Sequence, residues 1–387
     1  MMATPKTLVL MNKNTPVMSL EYDDELHVFT KIMEIKNPEY MPPGVISGEG
    51  TPNRRTLNSW WQGRSIPASR RHIQEICHAS GHDNMLILAE KSFGLSLSDR
   101  YWLNDPASPM EYKDINFFDN PFTEDLGLVT LGQSSASPRN LYSPNSTLNG
   151  DLQKKWTIQD GVRILIKAGT GIINQEPYNE VIATALYKRL LDPQAYVPYS
   201  LHEERRRTYC ACPNMLGEDE ELVPMYDLLQ SHKKSSSEND LQFTERICGE
   251  CGIEDPLGFL TRMFTCDFIL GNSDRHWRNF GLIRNVETLR YTRMAPIFDT
   301  GHCLWCDVER LDSPQDYAYM AKPFGRDGMP PAKQLKLFHG REWFREASLQ
   351  GFAEEAAAIL AQNPNLPEKR IEQIIRGMRR NMEYVRE

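Results

Sequence analysis

Two short blocks hold the residues whose types and spacing could do chemistry: Asn272-Ser-Asp-Arg-His-Trp-Arg-Asn279 and Pro296-Ile-Phe-Asp-Thr-Gly301. The first leaves an apolar helix carrying Phe264, Phe268, Ile269 and Leu270. A short strand from Phe280 to Ile283 follows, then a turn at Arg284-Asn285, then a second apolar strand ending in Asp299. Phosphoryl transfer needs such a set: one carboxylate facing the attacking hydroxyl, with an amide and a second carboxylate holding the magnesium that neutralises phosphate oxygens. Asp274 and Asn279 have the D-x-x-x-x-N spacing that suits the first role and one metal ligand. Asp299-Thr300-Gly301 sits where a second, metal-binding turn belongs. Either half alone is a weak signal, since acids and amides are common in solvated turns. The ordered pair, each half at the edge of an apolar segment, is more specific.

The elements that must position these residues come earlier. Within SPNSTLNGDLQKKWTI, Asn149-Gly150 is a hairpin signal flanked by strand-length segments. Gly161 to Gly169 reads as a buried strand with Lys167 at its end. Asn179 to Leu191 reads as an amphipathic helix with Glu180 near its start. Hairpin, lysine strand, glutamate helix is the order of a kinase N-lobe, where the lysine grips the α- and β-phosphates and the glutamate positions it. Taken singly, Lys167 could be a snorkelling surface lysine and Glu180 a partner of the helix dipole. Arg207 to Leu216, with Cys210, Cys212 and Asn214, reads as a strand and then a hinge on which adenine rests through backbone hydrogen bonds. The acidic loop 218–221 follows. Residues 231–240 are a polar serine-rich loop. The chain turns helical from Phe243 and ends in two amphipathic helices near 341–362 and 367–386, broken at Pro364.

With 387 residues the chain is long enough for two or three domains. Charged residues at 25% and apolar residues at 40% are ordinary for a soluble globular protein, and the net charge of −8 argues against a dedicated nucleic-acid binder. No apolar run reaches membrane-spanning length, and the N-terminus lacks a signal-peptide core, which implies a cytoplasmic protein. Eight cysteines then read as reduced thiols. Cys248-x-x-Cys251 and Cys303-x-x-Cys306 could in principle share zinc, but the flanking turns favour plain thiols. Upstream, residues 7–37 hold apolar strand-like runs and 38–54 a Pro/Gly loop. Residues 55–80 read as helix, turn, helix starting again at Pro67-Ala-Ser69, and a helix from Met85 to Phe93 follows. The 55–80 segment is either a DNA-reading helix-turn-helix or a small helical subdomain with Trp60 and Trp61 in its core, and the second is favoured. Residues 104–141 suit a connector.

On Asn272-x-Asp-x-His-x-x-Asn279-Phe280, Ala295-Pro296-Ile-Phe-Asp299, Ile164-Leu-Ile-Lys167 and Glu176-Pro-Tyr-Asn-Glu180, the chain from about residue 140 onward resembles the HipA-like Ser/Thr protein kinases. The resemblance implies an α+β, bilobal protein-kinase-like fold with an additional, mostly helical N-terminal subdomain. Its divisions would be an accessory subdomain with connector over 1–135, N-lobe and hinge over 136–225, and a helical C-lobe over 226–387. It implies ATP and Mg2+, with Asp274 as catalytic base, Asn279 and Asp299 as metal ligands, Lys167 as phosphate contact and His276 as a brace. The 143–150 loop, with Ser146, Thr147 and Gly150, would cover the phosphates, and Ser146 or Thr147 would be autophosphorylated. Partners implied are a protein substrate with a Ser/Thr hydroxyl and an antitoxin or DNA-bound partner, with no membrane. Asp-Arg-His-x-x-Asn and Asp-Thr-Gly-His are also similar to phosphoinositide kinases, which leaves a lipid kinase as the enzymatic alternative. A pseudokinase or mobile-element protein binding DNA through 55–80 is the non-enzymatic one.

Overall fold

The computed structural model describes residues 5–46, 51–340 and 342–386. They form two compact units interleaved along the chain. One comprises 1–167, 216–233 and 283–291, the other 168–215, 234–282 and 292–387.

In the first unit, strands β1 (Lys6–Asn12), β2 (Thr15–Asp23), β3 (Val28–Ile35) and β4 (Tyr101–Asn104) make an antiparallel sheet in the order β3-β2-β1-β4. Leu8, Leu10 and Asn12 alternate inward along β1, the period-2 pattern of a sheet with one covered face. That face packs on Tyr22, Phe29 and Trp61, whose rings meet edge-on or tilted. The accessory region is therefore sheet and helix together. Of the expected 38–54 loop, residues 47–50 lie outside the described residues, and the part before them holds two 3-10 turns.

Helix α1 (Arg54–Gln62) opens on a capping box between Asn53 and Thr56. Helix α2 (Ile73–Ser80) begins six residues later than Pro67, because 63–72 is a loop of turns, far longer than the tight turn of a DNA-reading pair. Trp61 is buried in the sheet core and Trp60 stands edge-on to Tyr101, so this segment is scaffold in the arrangement observed. Helix α3 (Leu86–Lys91) follows. The connector is no loose strap: α4 (Tyr112–Ile115), α5 (Asp125–Thr130) and Phe117 bury apolar side chains in the same unit.

The expected hairpin is shifted. Strands β5 (Lys154–Gln159) and β6 (Val162–Lys167) pair around Asp160-Gly161, both at positive φ (49° and 80°), as a two-residue primed turn requires. Asn149-Gly150 is not a hairpin turn, because the single residue Leu148 separates it from a 3-10 turn at Pro144–Thr147, leaving no alternating strand before it. Strand β9 (Glu220–Pro224), α7 (Met225–Gln230) and the stretch 283–291 complete this unit.

The second unit holds α6 (Glu176–Leu190), the hairpin of β7 (Ser200–Glu204) with β8 (Arg207–Pro213), and α8 (Asp240–Glu250). Its central helix is α9 (Pro256–Leu270), started by an Asp255 side-chain cap and stopped by Gly271 at φ 66°. Ten of its fifteen residues are buried. Strands β10 (Gly281–Asn285) and β11 (Tyr291–Met294), whose stretch 283–291 is counted with the first unit, turn over 286–290, later and longer than the turn expected at 284–285. Asp299 lies beyond β11 rather than at its end. Helices α10 (Pro331–Leu335), α11 (Phe352–Leu360) and α12 (Glu368–Arg386) follow. The first terminal helix starts at Phe352, not near 341, since Gly351 takes φ 75° and 346–349 form a 3-10 turn; residue 341 lies outside the described residues. No described helix is long and apolar enough to cross a membrane, and all eight cysteines are free.

Candidate active site

Helix α9 delivers its last turn, with the buried Asp267, to the start of the 272–279 loop. Asp267 Oδ2 accepts from Arg275 Nε at 2.8 Å and Oδ1 from Arg275 Nη2 at 3.0 Å, a two-pronged pair closed off from solvent. Asn272 Nδ2 donates to the same carboxylate at 2.8 Å. Burial works against the Arg275 charge, but Asp267 beside it holds the guanidinium pKa above the ordinary arginine value. The remaining Arg275 donors reach the Asn279 carbonyl (2.9 Å), the Phe298 carbonyl (2.6 Å) and Thr300 Oγ1 (2.8 Å). One side chain thus ties the two chemistry-bearing blocks together. Sequence reading named this arginine only as a motif letter.

Around that anchor the loop is shaped by its own polar groups. The Asp274 N–H donates to Asn272 Oδ1 at 3.0 Å, and Asn279 Nδ2 donates to the Asp274 carbonyl at 2.9 Å. That bond uses the amide nitrogen of Asn279, and its side-chain oxygen is an acceptor only. His276 Nδ1 accepts from the Arg278 N–H at 3.2 Å, and Nε2 stands 3.8 Å from Asp274 Oδ2. Asp274 Oδ1 meets Lys322 Nζ at 2.9 Å, a partner absent from the sequence reading.

Asp299 takes φ 56°, a left-handed conformation that costs any residue with a side chain and that aspartate tolerates better than most. The next residues are pinned by α6. The Thr300 N–H donates to Glu180 Oε2 (3.1 Å), Thr300 Oγ1 meets Tyr187 Oη (2.8 Å), and Asn179 Nδ2 donates to the Gly301 and Cys303 carbonyls (2.8 Å each). Gly301 must be small, since a Cβ there would come within 3.1 Å of Glu180 Cγ and 3.2 Å of the Glu176 carbonyl. Glu180 therefore braces the Asp299 turn. An Asp299 carboxylate and an Asn279 amide oxygen are hard oxygen donors of the kind magnesium takes, so the donor set fits that ion.

The other predicted residues fall elsewhere. Cys210 and Cys212 are buried in β8 and Asn214 follows its end, in the same unit as Asp274. Lys167 is buried as the last residue of β6, across the hairpin from Lys154, in the other unit with Ser146, Thr147 and Gly150. Ser146 is 0% exposed, its hydroxyl donating to the Ser143 carbonyl (2.7 Å) and meeting Ser92 Oγ (2.8 Å). Thr147 Oγ1 donates to the Leu95 carbonyl at 2.8 Å. The Gly150 carbonyl accepts from Arg70 Nε at 2.8 Å. In this conformation the loop is a braced turn within its own unit. Near the Asp299 turn, His302, Cys306 and Asp307 lie close enough to hold a metal ion. However, Cys306 Sγ flanks Nδ1 (3.7 Å) and Asp307 flanks Nε2 (3.5 Å), opposite sides of one ring. Hydrogen bonding to Asp307 and Cys306, against burial, raises the His302 pKa to about 11.

No family model matches the chain. A curated relative, the serine/threonine-protein kinase CtkA of Helicobacter pylori, is 32% identical over 109 residues, which cover 26% of this chain and 33% of that protein. The chain thus matches about a third of the length of this relative. Among solved structures, HipA of Shewanella oneidensis, in its complex with HipB and operator DNA, aligns over 98% of this chain and 97% of its own at 14% identity, with a TM-score of 0.56. The chain shares its fold with HipA. The crystal structure of Helicobacter pylori CtkA, described as a proinflammatory kinase, aligns over 59% of this chain and 90% of its own, with 18% identity and a TM-score of 0.47.

Proposed function

We propose that this HipA-like chain is an ATP- and Mg2+-dependent Ser/Thr protein kinase. The observation that carries the reading is Arg275, whose guanidinium holds the Asn279 carbonyl, the Phe298 carbonyl and Thr300 Oγ1 at once. It sets the base loop and the Asp299 turn in one frame, and phosphoryl transfer depends on such positioning more than on covalent chemistry. Asp274 takes the proton of an attacking hydroxyl, and Lys322 and the Asn272 cap orient that carboxylate. Asn279 and Asp299 would hold the magnesium, which when bound neutralises charge on the phosphate oxygens. Lys167 is the phosphate contact of this reading, and Cys210 to Asn214 supply the backbone that adenine would use. An antitoxin-like, DNA-bound partner belongs to the reading through its likeness to HipA, whose solved complex contains HipB and operator DNA. Autophosphorylation at Ser146 or Thr147 requires the 143–150 turn to open first, because both hydroxyls are buried and bonded.

The test is incubation with labelled ATP, Mg2+ and a host lysate, with phosphoamino-acid analysis and parallel thermal shifts. Wild type should transfer label to serine or threonine, and Mg-ATP should raise the melting temperature by mass action. Asp274→Asn should keep the thermal shift and lose turnover, whereas Asp299→Ala should lose both. A folded wild-type protein with neither shift nor transfer at millimolar Mg-ATP would sink the proposal.

A further inference from the structure

Asp274 has a partner 48 residues away that no motif announces: Lys322 Nζ, 2.9 Å from Oδ1. The lysine is about half open to solvent (49%), and an ion pair so exposed contributes little to folding. Stability does not explain it.

The backbone beneath it is firmly held. Residues 321–329 form a small loop whose neck is closed by Ala321 N–H to the Met329 carbonyl (2.8 Å) and Met329 N–H to the Ala321 carbonyl (2.9 Å). Gly328, at φ 87°, lets the neck close, since a Cβ there would lie 3.0 Å from the Ala321 carbonyl oxygen. Inside the loop Phe324 is buried against Phe264 of α9 and Phe338, and its ring stands edge-on to Trp277 of the base loop, centroids 5.5 Å apart. From α10 the buried Gln334 donates Nε2 to the Lys322 carbonyl at 3.0 Å. Apolar packing and backbone bonds therefore fix the loop without help from the lysine head group. That head group is left to the carboxylate.

We infer that Lys322 is a positioning residue for the phosphoryl transfer proposed above, on which this inference rests. By holding Oδ1 it leaves Oδ2 to receive the proton. In the step, the substrate O–H bond breaks toward Oδ2 as its oxygen bonds the γ-phosphorus, and the bond to the β,γ-bridging oxygen breaks with its electron pair leaving on ADP. The accepting carboxylate must lie within hydrogen-bond reach of that hydroxyl. An ammonium 2.9 Å from the carboxylate is therefore close to the phosphoryl oxygens on which charge spreads. The side chain can turn from Asp274 toward them without moving its loop.

The experiment compares wild type, Lys322→Met and Lys322→Arg, each also in an Asp274→Asn background. Lys322→Met should lower kcat on the order of 10²-fold, the scale of losing one positioned donor. KM for Mg-ATP should stay within about twofold and the melting temperature nearly unchanged, since the ion pair adds little stability. Lys322→Arg should recover part of the rate. In the Asp274→Asn background the Lys322→Met effect should largely vanish, because the two groups act as a unit. An unchanged or raised kcat in Lys322→Met, or a loss that simply adds to that of Asp274→Asn, overturns the inference while leaving the kinase reading intact. Absence of wild-type turnover and Mg-ATP binding overturns the kinase reading itself, and the inference with it.

Discussion

Among the described residues each compact unit contains an arginine–carboxylate pair with both side chains at most 5% exposed, and the two do different work. In the second unit Arg275 grips Asp267 with two prongs and sends its other donors to two loop carbonyls and a threonine hydroxyl. In the first unit Arg284 bonds Glu221 Oε1 at 2.6 Å and Tyr101 Oη at 2.6 Å, joining the end of β10 to β9 and β4. Burial pushes the Glu221 carboxyl above its ordinary value, and Arg284 pulls it back. The chemistry of the two pairs is the same, and so is the desolvation they suffer. What separates them is the destination of the spare donors: irregular loops in one case, regular scaffold in the other. A buried ion pair is weak evidence for stability by itself, so the first reads as a device for geometry and the second as a device for register.

Breaking the pairs tests that contrast. Arg275→Ala should have the largest effect, about 3–5 kcal/mol of stability, because it strands Asp267 without a partner. Any protein that remains folded at low temperature should lack measurable phosphoryl transfer. Denaturant melts paired with single-turnover assays would check both halves. Arg284→Ala should cost a similar ~3–5 kcal/mol but leave turnover per folded molecule within a few-fold of wild type. Equal loss of turnover in the two variants would erase the distinction.

Replacing each pair by apolar residues sharpens it. Arg284→Met with Glu221→Leu should be close to neutral in a urea melt, since removing both partners also removes two desolvation costs. Arg275→Met with Asp267→Leu should be tolerated less well, leaving the Asn279 and Phe298 carbonyls without donors at about 1–3 kcal/mol each. It should also abolish transfer. Smaller still is Ser146→Ala, where losing a buried hydroxyl from Ser92 and the Ser143 carbonyl should cost about 1–2 kcal/mol with kcat unchanged. The smallest change concerns pH. His302, raised to about 11 by Asp307 and Cys306, should stay protonated through pH 9 in imidazole NMR. Its contribution is then fully present below about pH 6.5, the ordinary histidine value. It is lost as pH rises through about 11. A ring that titrates near neutrality would contradict this.

Much of the candidate site was legible in advance, for reasons that differ by residue. Asp274, Asn279 and Asp299 are readable because their spacing reflects loops of fixed length between apolar segments. Glu180 was placed correctly on a helix, yet its contact with the Thr300 N–H is a tertiary fact. The hairpin was misplaced because Asn149-Gly150 and Asp160-Gly161 are equally good dipeptides. Only the alternating strands Lys154–Gln159 and Val162–Lys167 decide between them. The helix expected from Pro67 starts at Ile73 because Pro67 to His72 form turns in which the Arg70 head group bonds the Leu148 and Gly150 carbonyls.

The order of elements, the apolar faces of β1 and α9, and the candidate oxygen donors Asp274, Asn279 and Asp299 can be read from the chain in one dimension. These are local properties, set by side-chain period, turn chemistry and spacing within a few residues. Packing alone brings Arg275 to both blocks, pins the Asp299 turn with Asn179 and Glu180, buries the 143–147 hydroxyls and sets Lys322 against Asp274. Each of those depends on where a long side chain's donors end up after distant segments pack. An arginine or lysine reads the same in one dimension whether its partner is water, a scaffold tyrosine or a catalytic loop.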